Sequence, residues 1–272
     1  MRSRTARPDR QPPPHSHHGT TPVQIELALL SEPGGRPYNE DACGHWHSDQ
    51  HLCCVLADGA GGHGGGDVAS KLAVSHVLGR YAQAPAHDPA ALQALLWETN
   101  QQVLAHRNDG EHLRNMHTTI VVLSVDLQAR TALWGHCGDS RLYAFRGGRV
   151  VQRTRDHSLV QSLMDAGLLD EAGARHHASR SELYSALGTQ EGDLRISVAE
   201  QAWSLAGHDV LMMCTDGLWE WVPDEQIEAA LAASSEPHTW LAHLERLVRH
   251  ATTGRPSHDN FTALAVWLGE LD

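Results

Sequence analysis

The sequence predicts an α+β fold in which antiparallel sheets form layers with pairs of amphipathic helices. Strand-like runs occur in consecutive groups, and the helical stretches between those groups come in pairs. Strands and helices do not alternate strictly, as they would in a doubly wound parallel sheet. With 272 residues, of which 41% are hydrophobic, the chain is long enough to bury a substantial core.

Seven runs have the β-branched or alternating content that is typical of strands. They are residues 23–30, 51–57, 118–125, 131–137, 142–145, 209–215 and 261–268. Three of these runs lead directly into Asp-Gly or Gly-Asp pairs, at residues 58–59, 138–139 and 216–217, and the last run is preceded by Asp259-Asn260.

Four stretches are predicted to be helical. Residues 66–81 and 223–232 are the shorter ones, and Asp88-Pro89 and Pro237 mark the starts of two longer ones. The apolar stripe after Asp88 contains Leu92, Leu95, Leu96, Val103 and Leu104. The stripe after Pro237 contains Trp240, Leu241, Leu244, Leu247 and Val248, and Gly254 follows the end of this helix.

Residues 1–22 are predicted to form a disordered tail. This segment is rich in Pro, Arg and His and has almost no large apolar side chain, so burial cannot offset its ordering entropy. A single globular domain is predicted for residues 23–270.

Charge and cysteine usage narrow the class of protein. A net charge of −12 argues against a nucleic acid or an anionic membrane as partner. No apolar stretch approaches the length of a membrane span. Five cysteines without a Cys-x-x-Cys pair favour reduced, buried thiols in a cytoplasmic protein, which we expect to be a monomer.

The apolar strands that meet aspartate indicate a metal site. An ionised carboxylate beside a dry core costs free energy unless a positive charge compensates it. We expect Asp58, Asp139, Asp216 and Asp259 to gather at one sheet edge, where they would raise each other's pKa unless a cation joins them. Such an all-oxygen ligand set favours Mg²⁺ or Mn²⁺ over Zn²⁺. A single Asp-Gly pair would be explained as well by a turn or a cap.

Short motifs around these aspartates occur in a specific order. They are RPYNED at residues 36–41, DGAGGHG at 58–64, MHTT at 116–119, GDSR at 138–141, DHS at 156–158, DGLW at 216–219 and DN at 259–260. The combination resembles the metal-dependent protein phosphatases of the 2C type over residues 23–268. The resemblance implies a central antiparallel β-sandwich flanked by helix pairs, in α-β-β-α layers. It also implies hydrolysis of phosphoserine and phosphothreonine in proteins, by attack of a water that bridges two Mn²⁺ or Mg²⁺ ions.

The resemblance further implies roles for individual metal ligands. Asp58 would bridge the two cations, and the Gly59 carbonyl would bind the second. Asp216 and Asp259 would complete the ligands of the first. Asp139 would contribute to a third, weaker site that it shares with Asp216.

The resemblance also implies roles around the metal ions for three residues of the RPYNED motif. Arg36 resembles the arginine that grips the substrate phosphate, a role that suits a planar guanidinium. Glu40 and Asp41 resemble outer-sphere residues that bind the metal waters. The implied partners are phosphorylated proteins, the substrates of a serine/threonine kinase.

Four positions near the motifs depart from the family pattern or invite a catalytic interpretation. Ala60 stands where some relatives have a histidine proposed as general acid, and Glu220 stands where aspartate is common. His117 replaces a usual glycine, and it is either a structural histidine or a catalytic group. His63 is interpreted as part of a tight glycine-rich turn and not as the acid.

Residues 156–188 lie where the family inserts a flap, a small helical segment beside the active site that shapes substrate choice. Two other functions stay open. One is an inactive phosphatase-like scaffold that binds phosphoproteins, which the four retained carboxylates disfavour. The other is hydrolysis of small phosphorylated metabolites.

Overall fold

Two antiparallel sheets form the centre of the computed structural model, which describes residues 24–61, 65–255 and 257–270. The five-stranded sheet has the order β1 (Ile25–Glu32), β12 (Phe261–Leu268), β11 (Val210–Cys214), β7 (Arg141–Arg146) and β8 (Arg149–Arg153). The seven-stranded sheet has the order β10 (Trp203–Ser204), β6 (Thr131–Cys137), β5 (Ile120–Asp126), β3 (His51–Ala60) and β2 (Asp41–His47). Two short strands complete it, because β4 (His117–Thr118) pairs with β3 and β9 (Ser197–Val198) pairs with β6.

Helices cover the outer face of each sheet. The helices α1 (Gly65–Gln83) and α2 (Pro89–His106) pack on the seven-stranded sheet. The helices α5 (Asp216–Trp219), α6 (Asp224–Ala232) and α7 (Pro237–Ala251) pack on the five-stranded sheet. Two short helices, α3 (Leu159–Asp165) and α4 (Glu171–His176), lie between β8 and β9, and 3-10 turns occupy Arg107–Asp109 and Glu111–Leu113. These layers confirm the predicted α+β sandwich.

Alternate residues of β3 face opposite sides of the sheet, so this one strand contributes to two apolar cores. Leu52 and Leu56 face the other sheet and belong to the apolar core between the two sheets. Val55 and Ala57 face the opposite way and belong to the core under α1 and α2. Because β3 is buried on both faces, its sequence is a continuous apolar run instead of an alternating one.

Most predicted helices and strands are present, with differences at their ends and at the edges of the sheets. The strands 131–137 and 261–268 match the prediction, and α2 begins as expected because Asp88 Oδ1 accepts a hydrogen bond from the Ala91 N–H at 2.8 Å. The strand predicted at 51–57 continues through Ala60, since Asp58 pairs with Asp41 and Gly59 pairs with Thr118. Four strands among the described residues were not predicted. β2 and β8 are the last strands in the order of their sheets and are too polar to show an apolar pattern, and β9 and β10 have only two residues each.

The predicted tail at residues 1–22 lies outside the described residues. Within the described ranges, no helix is both long enough and apolar enough to cross a membrane. All five cysteines are free thiols, and Cys43 alone among them is partly exposed.

Candidate metal centre

Five aspartates converge at one end of the sandwich, and they come from both sheets. Asp41 and Asp58 are directly opposite each other on β2 and β3 of the seven-stranded sheet. Asp216 begins α5 after β11, and Asp259 precedes β12 by two residues, both at the five-stranded sheet. Asp139 lies in the turn that carries the chain from β6 of one sheet to β7 of the other. The sequence pattern predicts a single sheet edge for four of them, whereas the structure joins the ends of two sheets.

Asp58 and Asp216 both have a raised pKa, in each case partly because of other carboxylates at the site. For Asp58, burial raises the pKa well above its ordinary value, and the charges of Asp41 and Asp216 raise it further. For Asp216, burial again contributes most, followed by the charges of Asp139 and Glu220. Each cause favours the neutral acid, so the site favours a positive charge among these groups.

Two buried carboxylate oxygens have no hydrogen-bond partner among the described residues, Asp41 Oδ1 and Asp216 Oδ1. Unpaired buried acceptors of this kind are costly, and they are rare in folded proteins. The Thr215 hydroxyl donates to the other oxygen of Asp41 at 3.1 Å, but burial still raises the pKa of Asp41 to about 7. Orphaned acceptors among mutually repelling carboxylates fit a site for hard divalent cations.

Hydrogen bonds from the adjacent segment at β4 fix the backbone of Asp58. The Asp58 N–H donates to Thr119 Oγ1 at 3.0 Å, and the Thr118 hydroxyl donates to the Asp58 carbonyl at 2.8 Å. Thr119 Oγ1 in turn lies 2.7 Å from Ser140 Oγ, beside Asp139. In the sequence these residues are only motif landmarks, because their positioning role depends on the β3–β4 pairing.

Gly59 is required by a close contact between two backbones. A Cβ atom at Gly59 would lie 2.1 Å from the Gly66 carbonyl oxygen, so any side chain would displace the first turn of α1. That turn matters for the site because the Gly66 N–H bonds the Glu40 carboxylate and lowers its pKa. Burial and the charges of Asp67 and Asp259 outweigh this effect, and the pKa of Glu40 is raised.

Arg36 and Asp259 are in contact, although the sequence analysis gave them separate roles. Arg36 Nη2 donates to Asp259 Oδ2 at 3.0 Å, and about half of each side chain is exposed. Asn260 holds the two segments together: its Oδ1 accepts from the Glu40 N–H at 2.8 Å, and its Nδ2 donates to the Tyr38 carbonyl at 2.9 Å. The Asp-Asn pair therefore joins the loop that carries Arg36 to the carboxylate cluster.

A buried ion pair supports the site from the side of β7. Arg141 Nε and Nη2 donate to the two oxygens of Asp156 at 2.9 and 2.8 Å, and both side chains are less than a tenth exposed. The Arg141 guanidinium also stacks 3.5 Å from the centre of the Trp219 ring, whose Nε1 donates to the Asp139 carbonyl at 3.0 Å. This pair is not evident from the sequence, because its partners come together only through the β7–β8 hairpin.

Two arginines of the segment between β8 and β9 contact α5 beside the acidic centre. Arg180 Nε lies 3.2 Å from Glu220 Oε1, and Arg175 Nη1 donates to the Trp219 carbonyl at 3.1 Å. Burial raises the pKa of Glu220, while the charge of Arg180 lowers it. Beside these contacts, a cavity of about 380 Å³ is lined by residues of this segment and by Trp219 and Glu220.

Of the two histidines near the motifs, His117 lies within the described residues. The His117 ring is half-buried and contacts the Arg107 guanidinium and the Asn115 carbonyl. Burial and the Arg107 charge lower the pKa of His117, so the contacts favour the structural alternative for this residue. His63 lies outside the described residues. Ala60 ends β3, paired with His117, and offers no proton donor.

Taken together, the fold and the carboxylate cluster define a hydrolase that depends on divalent cations. Comparison with known proteins agrees, because residues 35–268 match the family described as protein phosphatase 2C. The chain is 31% identical over 202 residues to the serine/threonine phosphatase Stp of Listeria innocua, covering 72% of this chain and 78% of that protein. It is 30% identical over 255 residues to the protein phosphatase PhpP of Streptococcus pneumoniae, covering 91% of this chain and 99% of that protein.

Solved structures are similar as well. The Mycobacterium tuberculosis serine/threonine phosphatase PstP/Ppp superposes with a TM-score of 0.76 at 30% identity, over 91% of this chain and 100% of that one. The catalytic domain of PstP in complex with two manganese ions gives a TM-score of 0.74 at 29% identity, over 91% and 99% of the two chains. This chain belongs to the protein phosphatase 2C family. It is a serine/threonine phosphatase that uses Mn²⁺ or Mg²⁺.

Proposed function

We propose that the acidic centre binds two divalent cations and hydrolyses phosphoserine and phosphothreonine in proteins. Asp58, the Gly59 carbonyl, Asp216 and Asp259 are the proposed ligands. The observation that carries this proposal is the orphaned, buried Oδ1 of Asp216, a carboxyl whose pKa is raised by burial and by neighbouring carboxylates. Hard carboxylate oxygens without a histidine or thiolate suit Mg²⁺ and Mn²⁺.

When bound, the cations supply charge that stabilises the phosphoryl oxygens and lowers the pKa of a coordinated water. Arg36 would bind the substrate phosphate, since its guanidinium spends one donor on Asp259 and has others available. Glu40 and Asp41 would accept hydrogen bonds from waters around the cations. Asp139 would contribute to a third, weaker cation site shared with Asp216.

We propose that the segment 156–188 acts as a flap that shapes substrate choice. It carries α3 and α4, and it contacts the end of α5 through Arg175, which donates to the Trp219 carbonyl, and Arg180, which pairs with Glu220 just after the helix. These polar contacts beside the acidic centre are suited to adjustment when a protein substrate docks.

The partners are phosphorylated proteins, and we propose that a serine/threonine kinase produces them. The proposed enzyme is a monomer that works in the cytoplasm without a nucleic-acid or membrane partner. The five free cysteines fit a reducing compartment, and the net charge of −12 disfavours nucleic acid.

The test compares purified enzyme before and after exhaustive chelation, on phosphoserine and phosphothreonine peptides and on small phosphorylated metabolites. We expect peptide turnover to disappear on chelation and to return with Mn²⁺ or Mg²⁺, while Asp58→Asn stays inactive throughout. Full turnover in the chelated enzyme would refute the cation mechanism. Absence of turnover with every added cation would support the scaffold alternative, and preference for metabolites would refute the proposed substrate class.

A further inference from the structure

Two histidines and an aspartate meet at the end of the seven-stranded sheet that is remote from the acidic centre. His51 is the first residue of β3, and Asp126 is the last residue of β5, directly opposite it in the strand pairing. His87 comes from the connection between α1 and α2. Asp58 lies seven residues further along β3, which corresponds to about 23 Å of strand. This cluster is therefore separate from the catalytic machinery.

The geometry of the cluster suits coordination. One ligand atom from each of the three residues lies within 4.8 Å of the others. The two imidazole rings have centroids 4.4 Å apart. Burial and the neighbouring His87 lower the pKa of His51, and Asp126 opposes them. These causes favour a neutral His51 imidazole, the form that binds metals.

The supports of the cluster are built into the fold. Asp126 Oδ1 accepts from the backbone N–H groups of Gln128 and Ala129 at 2.9 and 2.8 Å, which fixes the carboxylate in its turn. The connection that carries His87 is fastened to β5, because the buried Ser124 hydroxyl donates to the Ala86 carbonyl at 2.8 Å. Such supporting hydrogen bonds are typical of side chains that hold a metal in place.

We propose that His51, His87 and Asp126 form a transition-metal site that takes Zn²⁺. Two imidazole nitrogens and one carboxylate oxygen leave a fourth position for water, as in open tetrahedral zinc sites. Zinc-ligand distances of about 2.0–2.2 Å require the three ligand atoms to approach one another, and the exposed His87 side chain can rotate to allow this. The bound ion would tie the α1–α2 connection to the ends of β3 and β5.

The nitrogen ligands separate this site chemically from the acidic centre, which selects harder cations. Zinc binding is therefore measured by calorimetry on the full chain in excess Mg²⁺. The variants are His51→Ala, His87→Ala and Asp126→Asn. The asparagine variant retains the Oδ1 acceptor of the turn while it removes the carboxylate charge. His238→Ala is the matched control, since it removes an exposed histidine on α7.

The N-terminal segment contains His15, His17 and His18, which could also bind Zn²⁺. All measurements are therefore repeated in a background with these three histidines changed to alanine. We expect the triple-alanine background and its His238→Ala derivative each to bind one equivalent of Zn²⁺. The site variants should bind this equivalent more than about tenfold more weakly.

Circular dichroism melting and Mg²⁺-dependent turnover of a phosphopeptide establish that each variant is folded. His51 begins a central strand, so its substitution alone is not decisive. His87 is exposed, and Asp126→Asn keeps its turn, so these two variants decide the question. If both bind Zn²⁺ with the affinity and stoichiometry of the control, the proposal is wrong.

Discussion

Changing Asp139 to asparagine is expected to stabilise the metal-free enzyme at alkaline pH. The Asp139 side chain is buried, with 5% exposed, beside the buried Arg141–Asp156 pair. Burial contributes most to raising its pKa, the charges of Asp156 and Glu220 raise it further, and Arg141 lowers it. The resulting pKa is about 7, against an ordinary value of 3.8.

The direction of the pH dependence follows from proton binding. Between pH 3.8 and about 7 the folded protein keeps a proton on Asp139 that the unfolded chain has lost, so stability falls as the pH rises. One pKa unit corresponds to about 1.4 kcal/mol, which gives a penalty of about 2 kcal/mol at pH 5 and about 4 kcal/mol at pH 8. Asparagine has a similar shape and no charge, so the variant avoids this penalty.

The assay is thermal unfolding in excess chelator at pH 5 and pH 8, followed by circular dichroism. At about 2–4 °C per kcal/mol, Asp139→Asn should raise the Tm by about 8–16 °C at pH 8 and by about half as much at pH 5. Asp49→Asn, in an exposed bend, is the control and should leave the Tm unchanged at both pH values. A Tm of Asp139→Asn at or below that of the wild type at pH 8 would refute the reasoning.

Three further predictions concern the proposed catalytic residues and their supports. Asp58→Asn and Asp216→Asn should each leave less than about a tenth of the wild-type kcat, which corresponds to a barrier increase above about 1.4 kcal/mol. Circular dichroism should show that both variants retain the fold, and higher activity would contradict the ligand assignment. Arg36→Ala should raise KM for a phosphopeptide more than it lowers kcat, because the phosphate contact exists in ground and transition states alike, and an unchanged KM would place Arg36 outside the substrate site. Asp156→Ala should lower the free energy of unfolding by about 3–5 kcal/mol in urea denaturation, because it leaves the Arg141 charge buried and unpaired, and the double variant with Arg141→Met should recover much of that loss.

The sandwich also explains why the enzyme accommodates a destabilising charge cluster. Apolar layers lie between the two sheets and under each helix pair, so most of the folding free energy arises away from the acidic centre. We expect bound cations to stabilise the cluster, which would link metal occupancy to stability as well as to activity.

The sequence determined the fold class and the principal candidate ligands by local signals. A strand of period two that is buried on both faces appears as an apolar run, and Asp58, Asp139 and Asp216 are conspicuous because each follows such a run. The helix starts at Asp88-Pro89 and Pro237 were equally local, since they depend on backbone groups within one turn. Strands β2 and β8 gave no such signal, because polar side chains replace apolar ones along them.

Only the tertiary structure decided which of these groups touch. It brought carboxylates from two sheets together, paired Arg36 with Asp259 and placed Arg141 against Asp156. It also assembled His51 with His87, which are far apart in the chain and carry no motif. Such contacts depend on strand register and on how the layers pack, and a one-residue shift in register would turn each side chain to the opposite face. Sequence patterns report the local environment of a residue, whereas its partners are set by the free energy of the whole packed sandwich.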